Sequence, residues 1–317
     1  MVIITVIITA YDRKEFIITA TESVLNQSIP RKDYELIVVK NYNDNIIDGY
    51  IEKNGIKNIF SKDKSLGGKL AEAIKVSGGE IIAFLEDDDA FANGKLECVY
   101  SLFTKNKSLV YYHNSYTPVN EKYNITEYEN SLPDFNMSCI AIKKEIINVD
   151  EIIGITDSID TFMYSSALDS EKPLIINRKK LTFYMVHNSA SNIFLSDFSD
   201  FNAAKIIYIK NVIKTLNTFL NFFKSSNAKK YLESQITCYG LLRFVYERES
   251  IPENIINFLI NRKIGFVKKI KYVFVYLLLR LPGQRYRSYI QHKIYKRAMV
   301  NSQNDYASEK ILDSKSD

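Results

Sequence analysis

The stretch that decides the fold is "GGEIIAFLEDDDAF", residues 78–91. A short apolar run, residues 81–85, leads into four consecutive acids: Glu86, Asp87, Asp88 and Asp89. Neighbouring carboxylates repel one another, and burial strengthens that repulsion. We therefore expect the acids at the mouth of a site, at the end of a buried strand, and not within the core.

The segments around this stretch alternate between strand and helix patterns. Residues 2–10 and 34–41 are short and β-branched, like strands buried on both faces, and residues 58–60 predict a third short strand. Residues 14–29 and 65–79 have helical spacing, and the second ends in a Gly-Gly stop. This alternation predicts an α/β fold, a mostly parallel sheet with helices on both faces. Such sheets bind ligands outside the carboxyl ends of their strands, where the acids fall.

The rest of the chain predicts a change of architecture. Residues 108–116 and 181–189 have strand patterns, and residues 136–147 predict a strand that leads into a short helix. From about Asp197 the pattern is helical. The predicted parts are a catalytic domain, a helical basic region and a loose polar tail, residues 1–195, 196–300 and 301–317.

Composition places the chain among ordinary globular proteins, with 46% hydrophobic and 25% charged residues in 317. Its three scattered cysteines form no disulfide or zinc pattern, which favours a reducing cytosol. The first residues lack a basic n-region, so we expect no signal peptide. No apolar run reaches the ~20 residues that span a bilayer. The expected location is cytoplasmic.

Adjacent carboxylates at a strand end suit a divalent cation. Hard oxygen ligands favour Mg²⁺ or Mn²⁺, and such an ion stabilises a diphosphate leaving group. The alternative is a solvated acidic turn, but the position directly after a buried strand favours the metal. The chain has no EF-hand, P-loop or G-x-G-x-x-G pattern, which argues against a kinase or a dinucleotide enzyme.

Four segments in register resemble glycosyltransferase family 2, which has the GT-A fold: residues 6–13, 35–44, 65–89 and 184–192. The resemblance covers about the first 195 residues. It implies a metal-dependent, inverting enzyme that moves a sugar from a nucleotide-diphospho-sugar to a hydroxyl acceptor. The implied acceptor is a lipid-linked glycan, a polysaccharide or a glycoconjugate.

The resemblance implies a nucleotide-binding segment at the end of the first strand: Thr9, Ala10, Tyr11 and Asp12. In the family the second strand ends in two aspartates, the second of which reads the base. Here the pair is Lys40-Asn41. Since an amide both donates and accepts, Asn41 leaves uridine and guanosine open, with a UDP-sugar favoured and a GDP-sugar as the alternative.

The same resemblance implies that Asp88 binds the metal. Glu86 or Asp87 would contact the ribose or the waters of the ion, and Glu86 is also a candidate ligand. His187 falls near the expected diphosphate position and is a third candidate ligand, with a purely structural role as the alternative.

Lys69 is the nearest basic residue to the position where the family carries an arginine beside the diphosphate. Leu70 occupies the arginine position itself. A lysine supplies a point charge but no two-pronged contact. The alternative for Lys69 is a solvated lysine at a helix start.

Asp157 is the predicted general base, because the resemblance places an acid at this point, at a helix start. A carboxylate there would take the proton of the acceptor hydroxyl. Helix N-capping is the alternative role for Asp157. Asp160, one turn later, is the alternative base.

Residues 262–297 carry eleven lysines and arginines and no acid. They enclose the apolar residues 272–283, a combination that favours an interfacial segment on anionic lipid. The alternative is a core-packed helix with a solvated basic face. No motif indicates a nucleic-acid partner. We expect a peripheral enzyme on the inner face of the cell membrane.

Two other functions compete with this interpretation. A sugar-nucleotide nucleotidyltransferase needs a glycine-rich loop after the first strand, and residues 9–16 contain no glycine. An inactive glycosyltransferase-like scaffold stays open because Lys40-Asn41 departs from the family pattern.

Overall fold

A computed structural model describes residues 3–126, 136–186, 197–247 and 287–296. The chain divides into two compact units, Met1–Met185 and Val186–Asp317. The domain boundary predicted near residue 195 and the predicted tail both lie outside the described residues.

The first unit is built on one sheet flanked by helices. Its strands are β1 (Ile4–Ala10), β2 (Tyr34–Lys40), β3 (Lys57–Phe60), β4 (Ile81–Glu86), β5 (Ala90–Phe91), β6 (Tyr111–Val119), β7 (Ile140–Lys143) and β8 (Leu174–Met185). Its helices are α1 (Ile17–Leu25), α2 (Asn45–Lys53), α3 (Leu66–Val76), α4 (Lys95–Lys105), α5 (Val149–Ile152) and α6 (Ile159–Asp169). Short 3-10 turns occupy Arg31–Asp33, Met137–Cys139 and Lys144–Ile146.

The strand order is β3-β2-β1-β4-β7-β6-β8-β5. The pairs of β1 with β2, β1 with β4, β2 with β3 and β6 with β8 are parallel, whereas β7 and β5 pair antiparallel with their neighbours. The predicted α/β fold with a mostly parallel sheet is confirmed. Thr9 pairs with Val39 on one side and Glu86 on the other, so three carboxyl ends meet at one edge.

The central strands form the core because they are apolar on both faces. β1 contributes Ile4, Val6 and Ile8, all fully buried against residues of α1 and α4. Each fully buried aliphatic side chain of this kind contributes ~1.5–3 kcal/mol to folding. This rigid centre carries the polar residues that follow each strand.

The Gly-Gly stop before β4 has a packing reason. A Cβ on Gly79 would lie 2.6 Å from the backbone nitrogen of Thr5, so only glycine fits. The Gly79 N–H donates to the Thr5 hydroxyl at 2.9 Å, and that hydroxyl donates to Glu35 at 2.6 Å. These bonds join the amino ends of β1, β2 and β4.

Two predicted elements differ in detail. β8 begins at Leu174, earlier than predicted, because it follows β6 along most of its length. Residues 136–147 form a 3-10 turn, the strand β7 and a second 3-10 turn, and the short helix α5 comes only at Val149–Ile152.

The second unit is helical in its described part, as predicted. Asp197 caps α7 (Phe198–Phe222) and Ser225 caps α8 (Ser226–Tyr246) through side-chain oxygens. Within the described ranges, no helix is long and apolar enough to cross a membrane.

Residues 287–296 are helical and pack on α7 and α8. Gln291 donates to the Val245 carbonyl at 2.9 Å, and the ring centroids of His292 and Phe198 lie 4.2 Å apart. None of the residues 287–296 is buried, so the interfacial segment and the core-packed helix both stay predictions. The apolar residues 272–283 lie outside the described residues.

Candidate active site

The acids that follow β4 form a compact cluster at the carboxyl edge of the sheet. Glu86, Asp88 and Asp89 each present an oxygen, and these three atoms lie within 4.8 Å of one another. Asp87, Asp88 and Asp89 are buried. A set of three carboxylate oxygens at this spacing is suited to a hard divalent cation.

Burial and mutual repulsion make the ionised form of the clustered acids unfavourable. Burial, followed by the neighbouring carboxylates, raises the pKa of Asp87 to about 6 and of Asp89 to about 7, and the pKa of Glu86 well above its ordinary value. Among the described residues, Oδ2 of Asp87 is buried without a hydrogen-bond partner. Both observations fit a bound cation, which would relieve the repulsion.

Arg13 neutralises part of the cluster. Its Nη2 lies 2.5 Å from Oδ1 of Asp87, and its Nη1 lies 2.7 Å from Oδ2 of Asp88. Burial lowers the pKa of Arg13, but the charges of Asp88 and Asp87 outweigh burial and raise it above its ordinary value. Arg13 was not among the residues predicted for the site. The available signal is its position after β1, the direct parallel neighbour of β4.

Asp89 is held by residues distant in sequence, Asn136 and Met185. It accepts hydrogen bonds from the Met185 N–H at 2.9 Å and from Nδ2 of Asn136 at 3.3 Å. The backbone N–H of Glu86 donates to the Ser138 hydroxyl at 3.0 Å. Asp89 was not among the predicted ligands, whereas His187, which was, lies outside the described residues.

Tyr11 and Lys69 stack at the same edge of the sheet. Nζ of Lys69 lies 4.6 Å from the centroid of the Tyr11 ring, and that tyrosine is 51% exposed. Lys69 is only 2% exposed, so the solvated-lysine alternative is wrong. Burial lowers the pKa of Lys69. The backbone of Tyr11 lowers the pKa of Asp87, which links this pair to the acid cluster.

Asp12 and Asn41, both predicted nucleotide-binding residues, lie side by side. Asp12 adopts a left-handed backbone conformation with φ of 57°, which Asp tolerates better than most residues. Lys40 turns away from this pair. Its buried ammonium lies 2.7 Å from Oδ1 of Asp48 and donates to the Tyr42 carbonyl at 2.6 Å.

Asp157 and Asp160 occupy the start of α6. Ser158 holds the N-cap position with φ of 60° and no side-chain cap, and Asp157 accepts from the Ser158 hydroxyl at 3.0 Å. The capping alternative for Asp157 is therefore wrong. Burial raises the pKa of Asp160 to about 6, although the Thr161 N–H donates to it at 2.7 Å.

The chain before Asp157 is tied to α3. The Gly67 N–H donates to the Ile155 carbonyl at 2.8 Å. A Cβ on Gly67 would lie 1.8 Å from the Ile152 carbonyl oxygen, so the close approach requires glycine. Leu70, on the same helix, is buried and carries no charge to the site.

The sequence model of glycosyl transferase family 2 matches residues 5–166, slightly more than half of the chain. The chain belongs to glycosyltransferase family 2. The predicted family is thereby confirmed.

Among the relatives, a poly(ribitol-phosphate) beta-glucosyltransferase of Bacillus spizizenii is 29% identical over 112 residues, or 33% of this chain and 18% of that protein. The chain spans about a fifth of the length of the curated relatives it matches.

Two solved structures show the same fold. S. aureus TarS 1-349 in complex with UDP-GlcNAc superimposes with a TM-score of 0.53 at 11% identity, covering 97% of this chain and 91% of that one. The mannosyltransferase PcManGT of Pyrobaculum calidifontis, in complex with GDP-Man and Mn²⁺, gives 0.55 at 13% identity, covering 94% and 86%. The predicted GT-A fold is confirmed.

Proposed function

We propose that this protein is a metal-dependent, inverting glycosyltransferase that moves a sugar from a nucleotide-diphospho-sugar to a hydroxyl acceptor. The observation that carries the proposal is the buried acid cluster at the carboxyl end of β4. Three of its oxygens lie within 4.8 Å of one another, and Oδ2 of Asp87 has no partner among the described residues.

The donor half of the site would use the ends of β1, β2 and β4. Mg²⁺ or Mn²⁺ would be held by Glu86, Asp88 and Asp89, where it would neutralise charge on the departing diphosphate. The half-exposed ring of Tyr11 offers a face for the base, with Thr9 and Asp12 beside it. Solved relatives in complex with UDP-GlcNAc and GDP-Man support a nucleotide-sugar donor.

The acceptor half would use Asp157 as general base. The acceptor hydroxyl oxygen attacks the anomeric carbon of the donor from the side opposite the diphosphate. One C–O bond forms, the C–O bond to the diphosphate breaks, and the hydroxyl proton passes to Asp157. The configuration of the sugar inverts. The Ser158 hydroxyl, 3.0 Å from Asp157, would orient the carboxylate.

The proposed acceptor is a hydroxyl-rich glycan or polymer at the inner face of the cell membrane. The name of the Bacillus spizizenii relative supports a polymer acceptor. The eleven basic residues of the segment 262–297 support contact with anionic lipid.

A donor screen tests the proposal. The purified full chain is incubated with UDP-glucose, UDP-GlcNAc and GDP-mannose, each with Mn²⁺ or with EDTA, and free nucleoside diphosphate is measured. We expect release from one donor class, with Mn²⁺ only. A folded protein that neither releases nor binds any of these nucleotides would overturn the proposal.

A further inference from the structure

The cation that neutralises the acid cluster in this structure is the guanidinium of Arg13. One of its nitrogens contacts Asp87 and another contacts Asp88. The side chain of Arg13 is 38% exposed, whereas those of Asp87 and Asp88 are 4% and 10% exposed. The guanidinium therefore lies at the boundary between the buried acids and solvent.

A divalent ion and Arg13 compete for the same carboxylate. Asp88 belongs to the group of three acids that suits a cation, yet its Oδ2 lies 2.7 Å from Nη1 of Arg13. A divalent charge in contact with Asp88 repels the guanidinium across a few ångströms of partly buried space. Loading of the cluster thus weakens the bond between Arg13 and Asp88.

The chemistry of Arg13 indicates where it then binds. Lys69 is buried against the Tyr11 ring, and Lys14 is paired with Asp44 at 3.1 Å. Arg13 alone of these three cations presents a planar, two-pronged donor beside the acid cluster, and that geometry matches phosphate oxygens as well as carboxylates.

We infer that Arg13 binds the diphosphate of the donor, and that a divalent ion in the acid cluster releases it from Asp88 for that role. This inference rests on the proposed function. Before the donor binds, the ion and Arg13 compete for Asp88. After the donor binds, both contact its diphosphate. Cation and nucleotide then favour each other's binding, because coupling between two sites is reciprocal.

Calorimetric titration of the full-length protein tests this inference in two stages. Mn²⁺ alone is titrated first, and then UDP or uridine is titrated in saturating Mn²⁺. We expect Arg13→Gln to bind Mn²⁺ alone about fivefold or more tightly than the parent. The same variant is expected to bind UDP at least about tenfold more weakly, the loss typical of a hydrogen bond to a charged group. Uridine, which has no phosphate, should bind equally to both.

Lys14→Gln is the matched control, because it removes the same charge one residue away, from a side chain that pairs outside the acid cluster. Both of its affinities should stay within about twofold of the parent, a difference within the range of screened surface charges. Arg13→Lys keeps the charge but loses the fork. This variant should bind Mn²⁺ like the parent and UDP more weakly than the parent. If Arg13→Gln does not fold, the UDP affinity of Arg13→Lys tests the diphosphate role.

Three results would overturn the inference. Unchanged UDP affinity in the Arg13 variants would remove the diphosphate role. Mn²⁺ affinity that is unchanged or weaker in Arg13→Gln would remove the competition, and a parallel loss of uridine binding would make Arg13 a support of the base segment. A parent protein that binds neither Mn²⁺ nor UDP would instead contradict the proposed function itself.

Discussion

Asp12 and Asn41 exchange two hydrogen bonds across the carboxyl ends of β1 and β2. The Asp12 N–H donates to Oδ1 of Asn41 at 3.0 Å, and Nδ2 of Asn41 donates to Oδ1 of Asp12 at 2.8 Å. In the described part of the chain, no hydrogen bond reaches Oδ2 of Asp12. The pair thus presents an oriented carboxylate oxygen of Asp12, which follows β1. The family resemblance predicts this acid at the end of β2 instead, where Asn41 stands.

This pair predicts a preference among nucleotide bases. A carboxylate only accepts hydrogen bonds, so it suits the ring N–H of uracil or guanine and not the bare ring nitrogen of cytosine. We expect UDP or GDP to bind about tenfold or more tightly than CDP, and Asp12→Asn to remove that difference. The double variant Asp12→Asn with Asn41→Asp keeps one acid and one amide, so it should restore the preference for UDP or GDP over CDP. Calorimetry with the three nucleotides measures this, and equal affinity of the parent for CDP would contradict it.

Asp88→Ala should abolish metal binding without unfolding the protein. The change removes one proposed ligand and also one of several repelling charges, so the metal-free variant should be at least as stable as the parent. Thermal unfolding with and without Mn²⁺ is the measurement, and Asp150→Ala, at an exposed acid, is the control. If the variant keeps the Mn²⁺-induced rise in melting temperature, Asp88 is not a ligand.

Asp157→Asn separates acceptor activation from donor binding. The amide keeps the size of the carboxylate and can still accept from Ser158, but it cannot take a proton. We expect donor binding close to that of the parent and turnover lower by ~10²–10⁴. Steady-state kinetics alongside donor titration distinguish the two effects. Full activity in this variant, together with its loss in Asp160→Asn, would move the base to Asp160.

Asp160 predicts a dependence of stability on pH. Because burial raises its pKa to about 6 in the folded state, ionisation costs more there than in the unfolded chain. This contribution destabilises the fold as pH rises from about 4 to about 6, by at most about 3 kcal/mol. Urea unfolding of Asp160→Asn at pH 4.5 and 7 should show a smaller fall than the parent. Asp150→Asn serves as an exposed control, and an equal fall in the parent and Asp160→Asn would refute the prediction.

The basic segment predicts salt-sensitive binding to anionic vesicles. Each engaged lysine contributes ~1 kcal/mol, and salt screens the attraction. The full chain should sediment with vesicles that contain phosphatidylserine, but not with neutral ones, and added salt should release it. Replacement of Lys268, Lys269 and Lys271 by Gln should weaken binding more than replacement of Lys229 and Lys230 in α8. A full chain that ignores anionic vesicles at low salt would exclude the membrane contact.

Local pattern was sufficient to predict the strands β1, β2 and β4, the helix α3 and the acid cluster. Apolar runs with β-branched residues, helical spacing and a Gly-Gly stop act within a few residues, so they can be recognised without knowledge of the rest of the chain. The position of the acids followed, because ligands of parallel sheets bind at the carboxyl ends of the strands.

The partners of the acids were decided by the tertiary structure. Arg13 reaches Asp87 and Asp88 from 74 and 75 residues away, and the Met185 N–H reaches Asp89 across 96 residues. Lys69 has the pattern of a surface lysine at a helix start, but the packing of α3 beside β1 buries it against Tyr11. Such contacts depend on strand order and register, and these are set when distant segments bury their apolar faces together.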